Sequence, residues 1–134
     1  MKIVLPVHYT FEYKTKKNKK VLVGLNWYRN VHYISNNKVK THFHNLVKQQ
    51  YNGQKFDKVK VHYKVFVGRM NTDGHNVRSI LEKYVLDALV SCGAIVDDSL
   101  RYVKGTSSDF YLDSEKPRIE IEVIPTSMSG SELA

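Results

Sequence analysis

From Lys58 to Val67 the side chains alternate in character. Val59, Val61, Tyr63, Val65 and Val67 are set against Lys58, Lys60, His62 and Lys64, with Phe66 the one exception. Successive side chains of a strand point to opposite faces, so this segment reads as a half-buried strand with a cationic outer face. Such a strand needs a second layer over its apolar face. The chain supplies one at once: over residues 76–89, Val77, Leu81, Tyr84, Val85 and Ala88 fall on one broad face of a helix. Gly93 stands just beyond it as a terminator.

The remaining segments fit around this pair. Ile3, Val4 and Leu5 form a continuous apolar run, read as a short buried strand. Phe11 to Tyr13 and Val21 to Val23 flank a run carrying five lysines, which suggests a hairpin with a basic tip. Residues 26–33 lack periodicity and read as an ordered loop, whereas Val39, Phe43, Leu46, Val47 and Tyr51 recur at helical spacing over residues 38–51. Strands are expected at 100–103 and 110–112, and the alternation from Arg118 to Ile124 marks a last one. Strands and helices interleave without a regular repeat. The expectation is therefore a compact α+β domain over residues 1–125, with a mixed β-sheet and two main helices, and a frayed Ser-rich tail at 126–134. A chain of 134 residues is long enough to bury a core without a staple, and its single cysteine, Cys92, allows no internal disulfide. No apolar run approaches the roughly 20 residues that cross a bilayer. With no signal-peptide pattern at Met1 to Pro6, the expected setting is cytoplasmic, with no membrane partner.

Charge divides the chain in two. Residues 1–69 hold 15 Lys/Arg and 2 Asp/Glu, whereas residues 70–134 hold 6 Lys/Arg and 11 Asp/Glu. A basic half invites a polyanion, because neutralising phosphates releases counterions. An acidic half in the same small domain opposes simple DNA coating. Carboxylates beside a phosphate backbone make sense when a divalent cation stands between them.

The acidic half contains a chemically suggestive series. Asp73 and His75 precede the helix, and Asn76, Lys83 and Asp87 share one polar ridge along it. A turn at Gly93 can bring Asp97 or Asp98 back toward that ridge. Mg²⁺ takes hard oxygen ligands and keeps several waters, so two or three carboxylates from separate elements suit it. The plain alternative is a solvated helix face with a Lys–Asp pair, Asp73 or Asn76 serving only as the helix cap.

The stretch Asp73-Gly74-His75-Asn76, Lys83, Leu86-Asp87-Ala88-Leu89 and Gly93-Ala94-Ile95-Val96-Asp97-Asp98 resembles the signature of the RusA-like Holliday junction resolvases. The match covers about 30 residues closely, and Leu25 to Tyr28 and the C-terminal strand more loosely. The resemblance implies a homodimeric, Mg²⁺-dependent crossover junction endodeoxyribonuclease, using Mg²⁺ or Mn²⁺ to make paired nicks in four-way junctions and other branched DNA. It implies Asp73 and Asp98 as catalytic metal ligands and Lys83 as the catalytic lysine, with Asp87 and Asp97 as second-rank candidates; in the site so read, His75 and Asp87 are expected to assist as metal ligands. The helix is about one turn longer than in shorter members, so alignment from Asn76 instead puts Ser79 in the lysine's place.

His75 departs from the pattern, standing where the family has a second aspartate. Three readings remain open. His75 can be a neutral imidazole ligand that favours Mn²⁺; Glu82 or Asp97 can supply the missing carboxylate in a weakened site; or cleavage has been lost and DNA binding kept. Phosphate contacts are expected from Lys16, Lys17, Lys19, Lys20, Arg29, Lys38, Lys40 and Lys60, with Trp27, Tyr28 and Tyr33 as stacking or packing aromatics. The scattered histidines lack zinc-site spacing, residues 104–108 lack a nucleotide-loop order, and no serine-hydrolase elbow is present.

Overall fold

The computed structural model describes residues 1–127. Its centre is the alternating segment, strand β4 (Val59–Val67), whose five odd-numbered side chains are all buried. β4 pairs antiparallel with β6 (Arg118–Pro125), which pairs antiparallel with β1 (Lys2–Pro6); on its other side β4 runs parallel to β5 (Val103–Leu112). The mixed sheet thus has the order β1-β6-β4-β5. A separate ribbon of β2 (His8–Phe11) and β3 (Lys19–Leu22) carries the basic turn.

One face of the four-stranded sheet is apolar across three strands, with Ile3 and Leu5 from β1, Ile119 and Ile121 from β6, and the β4 series, while β5 brings the polar Thr106 and Ser108 beside Val61 and Tyr63. Over it lie α2 (Tyr33–Gln50) and α3 (Gly74–Ser91), with the short α1 (Leu25–Asn30) beside α3. Val39, Phe43 and Val47 of α2 and Val77, Leu81, Val85 and Ala88 of α3 complete the core. Tyr84 is shared between the helices, stacked on Phe43 and donating its hydroxyl to Asn36 Oδ1 at 2.5 Å. Burial holds the Tyr84 phenol well above its ordinary pKa, so it remains a donor. The α+β class and mixed sheet follow the expectation from sequence.

Several local expectations are corrected. Residues 25–30 form helix α1 rather than a loop, and α2 begins at Tyr33, five residues earlier than its apolar spacing indicates. His32 explains the early start, its Nδ1 accepting from the Ile34 amide at 3.3 Å. Val4 points away from the core between buried Ile3 and Leu5, because only one face of β1 is covered. The segment expected as a strand at 100–103 is a turn as far as Tyr102, and Val103 opens a single strand, β5, that runs on through the expected 110–112, since the polar stretch Thr106 to Asp109 is held by β4. Lys19 and Lys20 belong to β3 rather than to the hairpin tip. The tail expected at 126–134 lies outside the described residues from position 128 onward.

The two ends of α3 are firmly set. Asp73 Oδ1 accepts from the His75 and Asn76 amides at 3.1 and 3.3 Å. A Cβ on Gly74 would collide with the Phe110 ring, so glycine lets the first turn sit directly on β5. At the other end, Gly93 adopts φ +82, its amide reaching Val90 O and that of Ala94 reaching Leu89 O at 2.9 Å, the reversal that left-handed glycine permits.

On the open face of the sheet, Arg118 lies 3.7 Å from the Phe66 ring centre and pairs with Asp113 and Glu120 at 2.9 and 2.8 Å. The Asp113 carboxyl is held below its usual range first by the Lys116 amide and then by Arg118. Glu120 is held down first by Arg118. Depressed carboxyl pKa values add stability above the unfolded-state range that is lost as pH falls through the folded values. Arg118→Ala is therefore expected to lower Tm at neutral pH, with the gap to wild type narrowing below about pH 4. Thermal melts across that interval check it; a gap independent of pH would assign Arg118 to packing alone.

Candidate metal and nucleic-acid site

The parallel pair β4 and β5 is linked through α3, so the N-terminus of α3 comes down at the carboxyl ends of both strands. A groove of about 740 Å³ opens there. Asp73 and Asn76 line it from α3, Arg69 and Asn71 from the turn after β4, Lys20 from β3 and Trp27 from α1. Two cations, a carboxylate, amide groups and an indole thus face one cavity. His8 also lines it, and burial followed by the Lys20 ammonium lowers its pKa, keeping the ring neutral at neutral pH. Both hydrogen bonds to the Asp73 carboxylate fall on Oδ1. Asp73 is therefore a helix cap whose second oxygen is free of that duty. The neighbouring His75 ring packs against Phe110 at 4.4 Å.

The remaining acidic candidates lie elsewhere. The reversal at Gly93 does return the chain along α3. Asp98 lines a second hollow, of about 460 Å³, with Lys83, Asp87, Lys40 and Tyr28. There Asp87 pairs with Lys40 at 3.5 Å, and Lys83 lies 5.9 Å from the Tyr28 ring centre. Asp97 accepts from the Asp98 amide at 2.8 Å, a turn contact that lowers its pKa.

Helix α3 keeps the two sets apart. At about 1.5 Å per residue, Asp73 and Asp87 stand roughly 21 Å apart along the axis. Among the described residues no three His, Cys, Asp or Glu side chains gather as a metal site. One chain alone thus unites Asp98, Asp87 and Lys83 but leaves Asp73 and His75 at the opposite end, and a Mg²⁺ shared by Asp73 and Asp98 does not fit within it. Glu82, a candidate substitute ligand, is committed to Arg78 at 2.6 Å.

The basic residues also separate. Lys16, Lys17, Lys19 and Lys20 are exposed on the β2–β3 ribbon and its turn, with Lys16 4.3 Å from the Tyr13 ring centre. Arg29 lies in the last turn of α1, and Lys38 and Lys40 lie on α2, all in the helical layer. Lys60 lies on the open face of the sheet, as the strand alternation indicates, and not in the helical layer.

Two features were not anticipated from sequence. Arg69 gains its place only through the turn that ends β4. Arg78 reaches from α3 to Thr106 Oγ1 at 2.8 Å and lies 5.0 Å from the Tyr63 ring centre. On the open face, His62 meets Ser107 at 2.6 Å and Asp109 at 3.2 Å. These resemble the members of a hydrolytic triad, but Ser107 sits in mid-strand, with β5 hydrogen-bonded to β4 on both sides of it, and the trio works as a cross-strand tie.

A scan against protein-family models gives no match, and a search of curated proteins finds no relative. Among the described residues no helix is long and apolar enough to cross a membrane.

The cap role of Asp73 separates its charge from its structural duty. Asp73→Ala is expected to cost about 1 kcal/mol of stability, whereas Asp73→Asn keeps an accepting oxygen and stays near wild type. Denaturant titration distinguishes them; equal losses would assign the stabilisation to the carboxylate charge, and no loss in either would mean that the caps at 3.1 and 3.3 Å contribute little.

Proposed function

We propose that this protein is a metal-dependent endodeoxyribonuclease that nicks branched DNA, four-way junctions foremost, and works as a two-fold dimer. The observation that carries the reading is the groove in which Asp73 faces Lys20 and Arg69. Two cations lining one groove suit a phosphodiester, and a carboxylate in the same groove would repel it unless a divalent cation intervenes. Such a cation, when bound, lowers the pKa of water and neutralises charge on the phosphate. Trp27 offers a flat apolar surface for a base displaced at a branch point. Lys83 shares the second hollow with Asp98 and Asp87, so its part in stabilising developing negative charge requires the second copy of the dimer to bring that hollow to the groove. The signature running from Asp73 to Asp98 supports the same chemistry.

A non-catalytic branched-DNA-binding module is the second reading, favoured by the absence of three gathered metal ligands among the described residues. The two differ in their response to metal.

Incubation of the wild-type protein with a labelled four-way junction, in Mg²⁺ and separately in Mn²⁺, is expected to give paired nicks. Asp73→Asn and Asp98→Asn should each reduce them by about 100-fold or more, while His75→Asp raises the Mg²⁺-supported rate. Junction binding that falls steeply with salt, ignores metal and survives Asp98→Asn, with no nicks in either metal, would establish the binding module instead.

A further inference from the structure

The β2–β3 ribbon has two faces, and each fronts a cavity. Lys20 and Leu22 of β3, with His8 of β2, turn to the groove. Lys19 and Val21, with Phe11, turn the other way and line a hollow of about 340 Å³. The register sets His8 opposite Leu22 and Phe11 opposite Lys19, so strand alternation itself makes the division. Trp27, half-buried in α1, lines both cavities. They are neighbours across one ribbon and one indole.

The hollow is built differently from the groove. Phe11, Tyr13 and Trp27 give it aromatic walls, and Val21 and Val31 add aliphatic ones. Among the described residues no carboxylate lines it, whereas Asp73 lines the groove. Its polar groups are the Lys19 ammonium, Asn30 from the end of α1 and Ser35 from the start of α2. Asn30 commits its Nδ2 to Asn26 O at 2.8 Å, which leaves its amide oxygen to accept from a ligand. The Ser35 hydroxyl can donate or accept. Tyr13, 38% exposed, stands at the mouth. Its amide donates to Asn18 Oδ1 at 3.1 Å, and Lys16 lies 4.3 Å from its ring centre.

We infer that this hollow binds a single unpaired nucleobase, with the Trp27 indole as the wall it shares with the groove. A ligand for such a lining has flat apolar faces, a hydrogen-bonding edge and an anionic tail. An unstacked base on its sugar-phosphate has all three. A base within a duplex has its faces covered by neighbours and its edge by its partner. A cavity of about 340 Å³ is at the small end of ligand sites, which suits one base rather than several. That the occupant is DNA rests on the nuclease reading: the hollow then takes a base left unpaired at a branch point, and Lys19 meets its phosphate. The preference for a base is independent of metal and of cleavage.

Trp27 is the one tryptophan of the chain, so its emission reports on the shared wall. In EDTA, the wild-type protein is titrated with an oligothymidylate of about 12 nucleotides, a length within the site sizes of stacking proteins. A parallel titration uses an abasic strand of equal length, which keeps the phosphates and lacks the bases. The thymidylate strand is expected to change Trp27 emission and to bind at least about 5-fold more tightly than the abasic one. Tyr13→Ala, at an exposed position outside the core, should abolish that preference, and Tyr13→Phe should keep it. Equal affinities for the two strands, no binding of either at low salt, or a preference that survives Tyr13→Ala overturns the proposal. A base preference in a protein that nicks no junction would count against the nuclease reading and leave the hollow standing. Nicking by a protein without the preference would do the reverse.

Discussion

The rigidity of α3 governs what this chain can do. A side-chain cap at Asp73 and a left-handed reversal at Gly93 fix its ends, and the buried series from Val77 to Leu89 fixes its face against the sheet. A helix so held is a spacer about 27 Å long. It presents Asp73 to a cationic groove at one end and lets the returning chain bring Asp98 beside Lys83 and Asp87 toward the other. Neither end alone offers the three ligands of a divalent metal site among the described residues. The chemistry proposed for the molecule therefore depends on how two copies associate.

Much of this frame is written in local sequence. The β4 alternation and the apolar face of α3 are periodic signals that tertiary packing reinforces, and Gly93 marks the reversal because only a residue without a Cβ adopts that φ cheaply. The return of Asp98 toward Asp87 follows from that reversal. Failures arose where context outweighs pattern. α1 is only six residues long and its register is set by packing against α3 rather than by its own spacing. β5 is largely polar through Thr106 to Asp109 and becomes a strand because β4 is there to hydrogen-bond with it. Local sequence does not say that the two acid-bearing ends of a helix remain apart after folding, nor that Arg69 and Lys20 will share a groove with Asp73.

The division of charge gains a physical sense from the fold. The basic ribbon and groove gather cations on one side, while the acids concentrate on α3, its flanking loops and the open face, where Arg118 and Lys2 neutralise Glu120. Lys60 on that open face shows that a uniformly basic half of the sequence need not make a uniformly basic surface. The treatment of the two sheet edges adds a second asymmetry: one is capped by Gln50, and the other is left as a bare strand bordered by Phe110 and Leu112.

Subunit mixing bears most directly on whether the acids act across two chains. Asp73→Asn and Asp98→Asn proteins, each inactive alone, are unfolded together, refolded at equal concentration and assayed on a four-way junction. A site built from two chains predicts recovery to about a quarter of the wild-type nicking, since random pairing leaves that share of sites intact. No recovery from a mixture proven to contain mixed dimers would contradict it.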